Sequence, residues 1–295
     1  MELLQLKYFQ VAAKIQNFSK AAEELNITQP SLSITISHLE NELNVKLFDR
    51  KGRNIELNEA GTAFLDRVNK IFCELENAKE EVKDIAGIKS NHISLATTNP
   101  RLLSGILRDY LAYNKDVIIN QTCEVHDLVK KQLQSGEIDF CLTLPPVNGK
   151  NIACKILKED EVVLAIPNSH RFAGRKSIHL NEVADDSFIT LVNSYSFRSI
   201  TDSICKAAGF SPKLVFEVDD MLMEEMLGLG RGITLLPLYM IKRHQVDTRN
   251  FSILKIEDLD THISIGLSWL KSKYLSPTAK NFKDYIIENY AKYLL

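Results

Sequence analysis

Residues 18–33 read FSKAAEELNITQPSLS, and they carry the clearest structural signal in the first sixty residues. It predicts a short helix with Ser19 as its N-cap, followed by a turn at residues 26–27. A second helix then begins with Thr28 as its N-cap. Pro30 falls in its first turn, where a missing N–H does no harm. Two short helices joined by a tight turn predict a helix-turn-helix.

The second helix of this pair has two different faces. Leu32, Ile36, Leu39 and Leu43 recur at helical spacing and predict one stripe that faces the core. The opposite face is small and polar at its N-terminal end, which suits insertion into a DNA major groove about 12 Å wide. The residues predicted to contact DNA here are Ser19, Thr28, Gln29, Pro30, Ser31, Ser33, Ile34, Thr35 and His38.

A basic hairpin is predicted directly after these helices. Residues 46–57 read KLFDRKGRNIEL and predict two short strands that turn at Gly52. Arg50, Lys51 and Arg53 would lie at the tip, where they could follow DNA phosphates and place one arginine in the minor groove. A further amphipathic helix is predicted before this pair, over about residues 4–15. Three amphipathic helices alone would fit any small bundle, but the basic wing favours DNA binding.

The stretch from residue 18 to residue 61 resembles the LysR-type transcriptional regulators. The resemblance rests on residues 18–33 and continues without a visible gap through HLENEL at 38–43, LFDR at 47–50 and LNEAG at 57–61. By position, it implies that Gln29, Ser31 and Ser33 face DNA and that Arg50 and Arg53 belong to the wing.

Two departures from the usual family pattern affect these expectations. Ile34-Thr35 stand where many members have Arg-Gln, so the base preference of the operator cannot be carried over. Ile34 could instead pack on a thymine methyl group. Asn58 stands where threonine is common, and it can cap a helix equally well.

One long helix is predicted from Asn58 to about Ala86. Its apolar residues recur with a 3.5-residue period, which is typical of a two-helix coiled coil. A single helix packed on the core of its own domain is the alternative. The predicted dimerisation seam comprises Phe64, Val68, Ile71, Leu75, Ala78, Val82 and Ile85. We therefore expect a homodimer, and the resemblance adds a homotetramer as a further option.

Residues 92–295 alternate strand and helix patterns, which predicts an α/β fold with largely parallel sheets. The last helix should begin with Ser276 as N-cap and Pro277 at its first position. The strands are expected at 92–97, 117–123, 138–143, 161–166, 188–192, 214–218, 233–236 and 263–269. In this half, the resemblance implies two lobes like those of type 2 periplasmic binding proteins, with a ligand cleft between two crossover strands.

The predicted fold class is an α-helical winged helix-turn-helix domain plus a long linker helix, followed by a bilobal α/β type 2 periplasmic-binding-protein-like domain. The predicted domains are residues 1–58 for DNA binding, 59–89 for the linker and dimerisation helix, and 90–295 for effector binding. Lobe I would comprise about 92–160 and 268–295, and lobe II about 161–267.

The effector cleft is expected where strands end and helices begin, because free N–H groups there favour small anions. Met221, Leu222 and Met223 would equally allow an apolar ligand body. For each serine or threonine, a plain helix cap is the alternative. The candidate effector residues are Thr97, Thr98, Asn99, Pro100, Thr143, Leu144, Ser194, Ser196 and Phe197.

Composition and cysteine spacing predict a cytoplasmic protein. The net charge is −2, and hydrophobic residues make up 45% of the chain, as in ordinary globular proteins. The N-terminal residues lack a signal-peptide pattern, and the most apolar stretch, 233–241, is too short to span a membrane. Five widely spaced cysteines without a Cys-x-x-Cys pair predict free, mostly buried thiols.

The sequence predicts no cofactor, no metal site and no enzymatic activity. Cys123 and His126 lack a second pair of ligands, and the glycines of residues 228–232 precede a predicted strand, unlike those of a phosphate loop. Peroxide-sensing members of the family carry a cysteine at the position of Ser196, whereas Cys205 is interpreted as a buried, inert thiol.

The predicted function is promoter binding modulated by a small-molecule effector. The partners would be double-stranded promoter DNA and the effector, and RNA polymerase is kept open as a further partner. The alternatives are a ligand-binding protein without gene-regulatory activity and a dinucleotide-dependent enzyme.

Overall fold

The computed structural model describes residues 1–51, 54–88, 90–193, 195–243 and 250–294. Internal contacts divide the chain into two units, residues 1–82 and 83–295. Within the described ranges, no helix is both long enough and apolar enough to cross a membrane.

The first unit contains three helices, a two-stranded hairpin and most of a long helix. These elements are α1 (Leu3–Ile15), α2 (Phe18–Glu24), α3 (Gln29–Leu43), β1 (Phe48–Lys51), β2 (Asn54–Leu57) and α4 (Glu59–Ile85). The predicted stripe of α3 is confirmed, because Leu32, Ile36 and Leu39 are buried and Leu43 packs against them. Phe9 of α1 lies at the centre of the core, 5.2 Å between ring centroids from Phe64 of α4.

In the first unit, the helix caps follow the sequence in two cases out of three. Thr28 caps α3 by accepting a hydrogen bond from the Ser31 N–H at 3.3 Å, as predicted. Asn58 caps α4 by accepting one from the Gly61 N–H at 2.8 Å. The prediction of Ser19 as the cap of α2 is wrong. Asn17 accepts the Lys20 N–H at 3.1 Å instead, so the helix begins one residue before Ser19.

The second unit contains ten strands and six α-helices within its described residues. The strands are β3 (His92–Thr97), β4 (Ile118–Cys123), β5 (Phe140–Thr143), β6 (Ile152–Pro167), β7 (Ser177–Ile178), β8 (Ser187–Leu191), β9 (Lys213–Val218), β10 (Thr234–Pro237), β11 (Phe251–Ile256) and β12 (His262–Leu270). The helices are α5 (Ile106–Tyr113), α6 (His126–Gln134), α7 (Ser196–Ala207), α8 (Met223–Gly228), α9 (Leu238–Arg243) and α10 (Pro277–Asn289).

Two long strands connect the two lobes of this unit. β6 and β12 pair antiparallel from Ile152↔Leu270 to Glu161↔His262. β5 lies beside β12, and β3 and β4 follow it in lobe I, whereas β10 and β11 pair with β6 in lobe II. β8 and β9 form a separate parallel pair in lobe II.

The expectation of largely parallel sheets is wrong for the central strands. β3 pairs in parallel with β4 and β5, but β12 runs antiparallel to both β5 and β6. The reason is topological: β6 carries the chain into lobe II and β12 carries it back, so the two crossover strands must run in opposite directions.

The glycine-rich segment at 228–232 ends a helix, as predicted. Helix α8 finishes at Gly228, and Gly230 takes a left-handed conformation with φ of 69°. The chain then enters β10, whose four residues are all buried. The segment therefore has the structure of a helix-to-strand turn and not that of a phosphate loop.

Candidate functional site

The N-terminal end of α3 presents a small polar surface. Gln29 and Ser31 are exposed, and the Ile34 side chain is 58% exposed. The Thr35 hydroxyl donates a hydrogen bond to the Ser31 carbonyl oxygen at 2.9 Å, so towards DNA it could act only as an acceptor. His38 is exposed one turn after Ile34, which extends this surface along the helix. Ser33 lies half-buried at the edge of the same surface.

The wing is attached to the C-terminal half of α3 through a buried carboxylate. Glu40 is only 7% exposed. Its Oε1 accepts the Leu47 N–H at 2.9 Å and the Phe48 N–H at 3.4 Å, and its Oε2 pairs with Lys46 Nζ at 2.7 Å. Because these contacts lie at the first residues of the hairpin, the recognition helix fixes where the wing begins.

The start of α4 holds the other side of the same hairpin. Asn58 Nδ2 donates to the Lys46 carbonyl oxygen at 2.8 Å. Gly61 lies so close to the wing that a Cβ on it would be 2.0 Å from the Leu47 carbonyl oxygen. The base of the wing is therefore held between α3 and α4.

The predicted hairpin is confirmed, with β1 and β2 paired antiparallel from Phe48↔Leu57 to Lys51↔Asn54. The backbone of Arg50 and Lys51 lies in β1. Arg53, the third cation of the predicted tip, lies outside the described residues, as does Gly52.

The apolar seam of α4 separates into a buried and an exposed part. Val68 is 0% exposed, and Phe64 packs on the core of the first unit. From Ile71 onward the seam is exposed: Ile71 by 40%, Leu75 by 36%, Val82 by 65% and Ile85 by 81%, with Ala78 exposed as well. The surface available to a partner is therefore shorter than the sequence predicts, because its first two members are used within the protomer.

A narrow cleft, partly open to solvent, lies between the two lobes of the second unit. Five of the predicted effector residues line it, namely Thr98, Asn99, Leu144, Ser196 and Phe197. The described residues that line it and were not predicted are Leu102, Leu191, Tyr195, Asp220, Pro237, Tyr239 and Met240. Asp220 follows β9, and Pro237 is the last residue of β10. Because ligands bind near the carboxyl ends of strands, the same reasoning applied to lobe II could have found both residues.

Side chains of the cleft connect the two lobes directly. Asp220 of lobe II accepts hydrogen bonds from Asn99 Nδ2 at 3.3 Å and pairs with Arg101 Nε at 2.6 Å, both in lobe I. Ser196 of lobe II donates to the Leu144 carbonyl oxygen of lobe I at 2.8 Å. The cleft is thus bridged at two places by polar contacts.

The remaining predicted effector residues are placed differently. Thr97 is fully buried, and its hydroxyl donates to the Leu142 carbonyl oxygen at 2.7 Å, so it lies behind the lining of the cleft. Thr143 is also fully buried, in β5. Pro100 is exposed at the start of a short 3-10 helix, outside the lining. Ser194 lies outside the described residues.

Arg198 of α7 connects this helix to the end of β8, and both elements contribute residues to the cleft. Its NH1 group donates to the Leu191 carbonyl oxygen at 2.6 Å and to Glu217 at 2.7 Å, and its Nε donates to Asp202 at 2.9 Å. Burial disfavours the charged guanidinium, but the hydrogen bonds to the two carboxylates outweigh it and raise the pKa of Arg198. This network holds the end of β8 against α7, where Leu191 and Phe197 face the cleft.

Comparison with known proteins agrees with this architecture over both units. Residues 3–62 match the family model for the bacterial regulatory helix-turn-helix protein, lysR family, and residues 90–291 match the LysR substrate binding domain. The chain belongs to the LysR family of transcriptional regulators. The uncharacterized HTH-type transcriptional regulator YybE of Bacillus subtilis is 33% identical over 99% of this chain and 100% of its own length. The transcriptional dual regulator GltC, also of B. subtilis, is 28% identical over 99% and 98%.

Solved LysR-family structures share the fold along the whole chain. A full-length OxyR variant from Pseudomonas aeruginosa matches with a TM-score of 0.69 and 19% identity, covering 98% of this chain and 94% of that one. CbnR, solved in complex with its target DNA, matches with a TM-score of 0.53 and 22% identity, covering 98% and 100%. The family and the fold class predicted from the sequence are thereby confirmed.

The thiols of this LysR-family chain are free cysteines, several of them buried. Cys205 is 1% exposed, and burial raises the pKa of its thiol to about 12. Burial likewise raises the pKa of the Cys141 thiol to about 12. Because a thiol reacts as its thiolate, the interpretation of Cys205 as inert is supported.

These thiols should make the fold sensitive to alkali. An unfolded cysteine ionises near pH 8.5, whereas the folded thiol stays protonated until about pH 12. The folded state therefore binds the proton more tightly, and the unfolding free energy should fall as pH rises above about 8.5, by roughly 2 kcal/mol per buried thiol at about pH 10. Urea unfolding at several pH values measures this decline.

The matched variants for this experiment lie next to each other on α7. Cys205→Ala should lose less stability than the wild type between about pH 8.5 and about pH 10. Ile204→Val removes buried volume from the same helix without removing a titratable group, so its pH dependence should match the wild type. Equal pH dependence in all three proteins would contradict the prediction.

Proposed function

We propose that this LysR-family chain binds promoter DNA as a homodimer or homotetramer and that a small-molecule effector modulates this binding. Residues 1–58 would bind DNA, 59–89 would dimerise, and 90–295 would bind the effector. The observation that carries the proposal is the exposed polar end of α3 beside a wing whose base Glu40 holds in place. The chain would act in the cytoplasm as a regulator and not as an enzyme, with RNA polymerase as a further partner at the promoter.

The proposed contacts follow from the exposed groups. Gln29 can read a base edge, the hydroxyls of Ser31 and Ser33 can bind phosphates, and Ile34 can pack on a thymine methyl. Ser19 and Thr28, in the first turn of α2 and at the cap of α3, would lie beside the phosphate backbone. The cations of the wing would add sequence-independent affinity. CbnR, with the same fold, was solved with its target DNA, which supports this use of the first unit.

Coupling between effector and DNA would arise from the two lobes. An effector that binds one arrangement of the lobes more tightly than another shifts the population towards that arrangement. The cleft offers apolar walls with a few polar groups, which is the usual composition of a small-molecule site. In a dimer, a change in the arrangement of the two lobes could then alter the spacing between the two DNA-binding units.

Gel-shift titrations with the upstream DNA of the gene, and with pooled genomic fragments, test the proposal. Gln29→Ala should weaken specific binding by about 1–3 kcal/mol and relax the preference at one base pair. Arg53→Ala should weaken binding to all sequences and reduce the salt dependence by about one phosphate contact.

Two exposed residues of the same unit provide controls. Asn41 lies near the C-terminal end of α3, and Arg67 lies on α4. Asn41→Ala removes an amide as Gln29→Ala does, and Arg67→Ala removes a cation as Arg53→Ala does, so both should bind DNA like the wild type. A chain that shifts neither probe at low salt would contradict the DNA-binding proposal and favour a ligand-binding protein without regulatory activity.

A further inference from the structure

Among the described residues that line the cleft, one carries a charge, and it is Asp220. It follows β9 in lobe II and is only 8% exposed. One of its oxygens, Oδ2, accepts a hydrogen bond from Asn99 Nδ2 at 3.3 Å and pairs with Arg101 Nε at 2.6 Å. Two donors from lobe I thus converge on a single carboxylate oxygen from lobe II.

The orientation of the Asn99 amide is fixed by its own loop. Asn99 Oδ1 accepts the Arg101 N–H at 2.9 Å, and the Asn99 N–H donates to Thr97 Oγ1 at 3.2 Å. With the carbonyl end of the amide committed to the backbone, the Nδ2 end must point away from it, towards the cleft. Lobe I therefore carries two preset donors of the kind that bind a carboxylate.

An ordinary surface ion pair does not explain this arrangement. Surface pairs join exposed groups and contribute little to stability. Asp220 is instead buried, lines the cleft, and follows β9, whose two-stranded sheet with β8 is separate from the sheet that contains β3 of lobe I. A carboxylate in this position occupies space and hydrogen-bond donors that a bound molecule would otherwise use.

We propose that the Asp220 carboxylate is an internal occupant of the cleft, which holds the lobes together through Asn99 and Arg101 and which an anionic effector replaces there. The inference rests on the proposed effector function of this unit. The apolar part of the effector would pack against Leu144 and Phe197, which line the same cleft. Occupation by the effector and occupation by Asp220 would be mutually exclusive, because two carboxylates sharing one pair of donors repel each other.

The first experiment measures ligand binding to the full chain with Asp220→Asn, which keeps the shape and removes the charge. The probes are benzoate, benzamide and benzylamine, and calorimetry at constant ionic strength measures the binding of each. Benzoate should bind the variant about tenfold more tightly than the wild type, whereas benzamide should bind both proteins alike. Asp185→Asn, an exposed carboxylate of the same lobe, should leave benzoate binding unchanged.

Other results would overturn the inference. If benzylamine binds the wild type and Asp220→Asn loses that binding, Asp220 recognises a cationic ligand and is not an internal occupant. Equal benzoate affinity in the wild type and in Asp220→Asn, or no benzoate binding to either, would also overturn it. Asp220→Ala repeats the measurement without an amide that could still bridge the lobes.

Amide hydrogen exchange provides a second readout that needs no ligand. In Asp220→Asn and Asp220→Ala, the amides of residues 98–99, 101–104 and 195–202 should exchange several-fold faster than in the wild type, while the core of lobe I keeps its protection. Unchanged exchange would count against the interlobe contact. DNA binding by the wild type does not depend on this result. If the wild type shifts DNA normally but the Asp220 variants show unchanged hydrogen exchange, only this inference is refuted. If the wild type gives no gel shift, the proposed function is refuted.

Discussion

Replacing Gly61 with alanine is expected to destabilise the first unit by about 3 kcal/mol and to weaken DNA binding at the same time. The added Cβ would lie 2.0 Å from the Leu47 carbonyl oxygen and 2.7 Å from Leu57 Cδ2. The first of these atoms belongs to the backbone, so no side-chain rotation can relieve the overlap. Either α4 moves away from the wing or the base of the wing moves away from α3.

The displacement should affect DNA binding because Glu40 accepts the N–H groups on both sides of this carbonyl, those of Leu47 and Phe48. A wing that loses this contact no longer has a fixed position beside the recognition helix. Urea unfolding of the full chain measures the stability loss, and gel shifts at increasing salt measure the wing contacts. We expect a smaller salt slope in Gly61→Ala than in the wild type, at a temperature where both are folded.

Gly228→Ala provides the control, because a Cβ at Gly228 would meet nothing within 4 Å. This glycine lies at the end of α8, so alanine there should leave stability unchanged or raise it slightly. If Gly61→Ala behaves like Gly228→Ala, the close approach of α4 to the wing is not a constraint on this protein.

Introducing aspartate at Ile71 or Leu75 is expected to convert the proposed dimer into a monomer. Both side chains are apolar and more than a third exposed on α4, on the part of the seam that the protomer does not bury. In a coiled coil, each aspartate would place a charge in the apolar seam, with no partner to neutralise it. A cost of about 3 kcal/mol per dimer would raise the dissociation constant roughly a hundredfold.

Sedimentation velocity over a range of concentrations measures this change. Thr62→Asp places the same charge on the exposed surface of the first turn of α4, outside the exposed seam, and should leave the dimer intact. The monomeric variants should keep weak, non-specific DNA binding but lose affinity for a two-part operator, because one recognition helix can no longer position the other. A dimer that survives both substitutions would show that another surface holds the chains together.

The sequence predicted the first unit almost completely because its signals are local. Pro30 and the cap at Thr28 act within one turn, and the stripe of α3 is read from adjacent turns. The seam of α4 shows the limit of this approach. Periodicity marks Phe64 and Val68 as part of the same stripe as Leu75, but it cannot tell whether the neighbour is a partner chain or the protomer's own core.

The second unit was predicted less well because its signals are distant along the chain. Half of β6 lies in residues 152–160, where exposed charged residues hide the strand pattern, and β11 was missed altogether. The cleft shows the same difficulty, because Asn99 and Asp220 are 121 residues apart. Their contact depends on how the lobes meet, which no local pattern reports.

The paired strands β6 and β12 also make the second unit modular. The chain enters lobe II once, along β6, and leaves it once, along β12, so lobe II is a single continuous insertion into lobe I. Lobe I is completed by α10, which packs on β3, and by Tyr290, whose hydroxyl donates to the Leu102 carbonyl oxygen at 2.9 Å. A chimera could therefore exchange lobe II with that of a relative through only two junctions, both placed within the crossover strands. Shortening the chain from its C-terminal end, in contrast, would damage the lobe that begins the unit and leave the inserted lobe covalently whole.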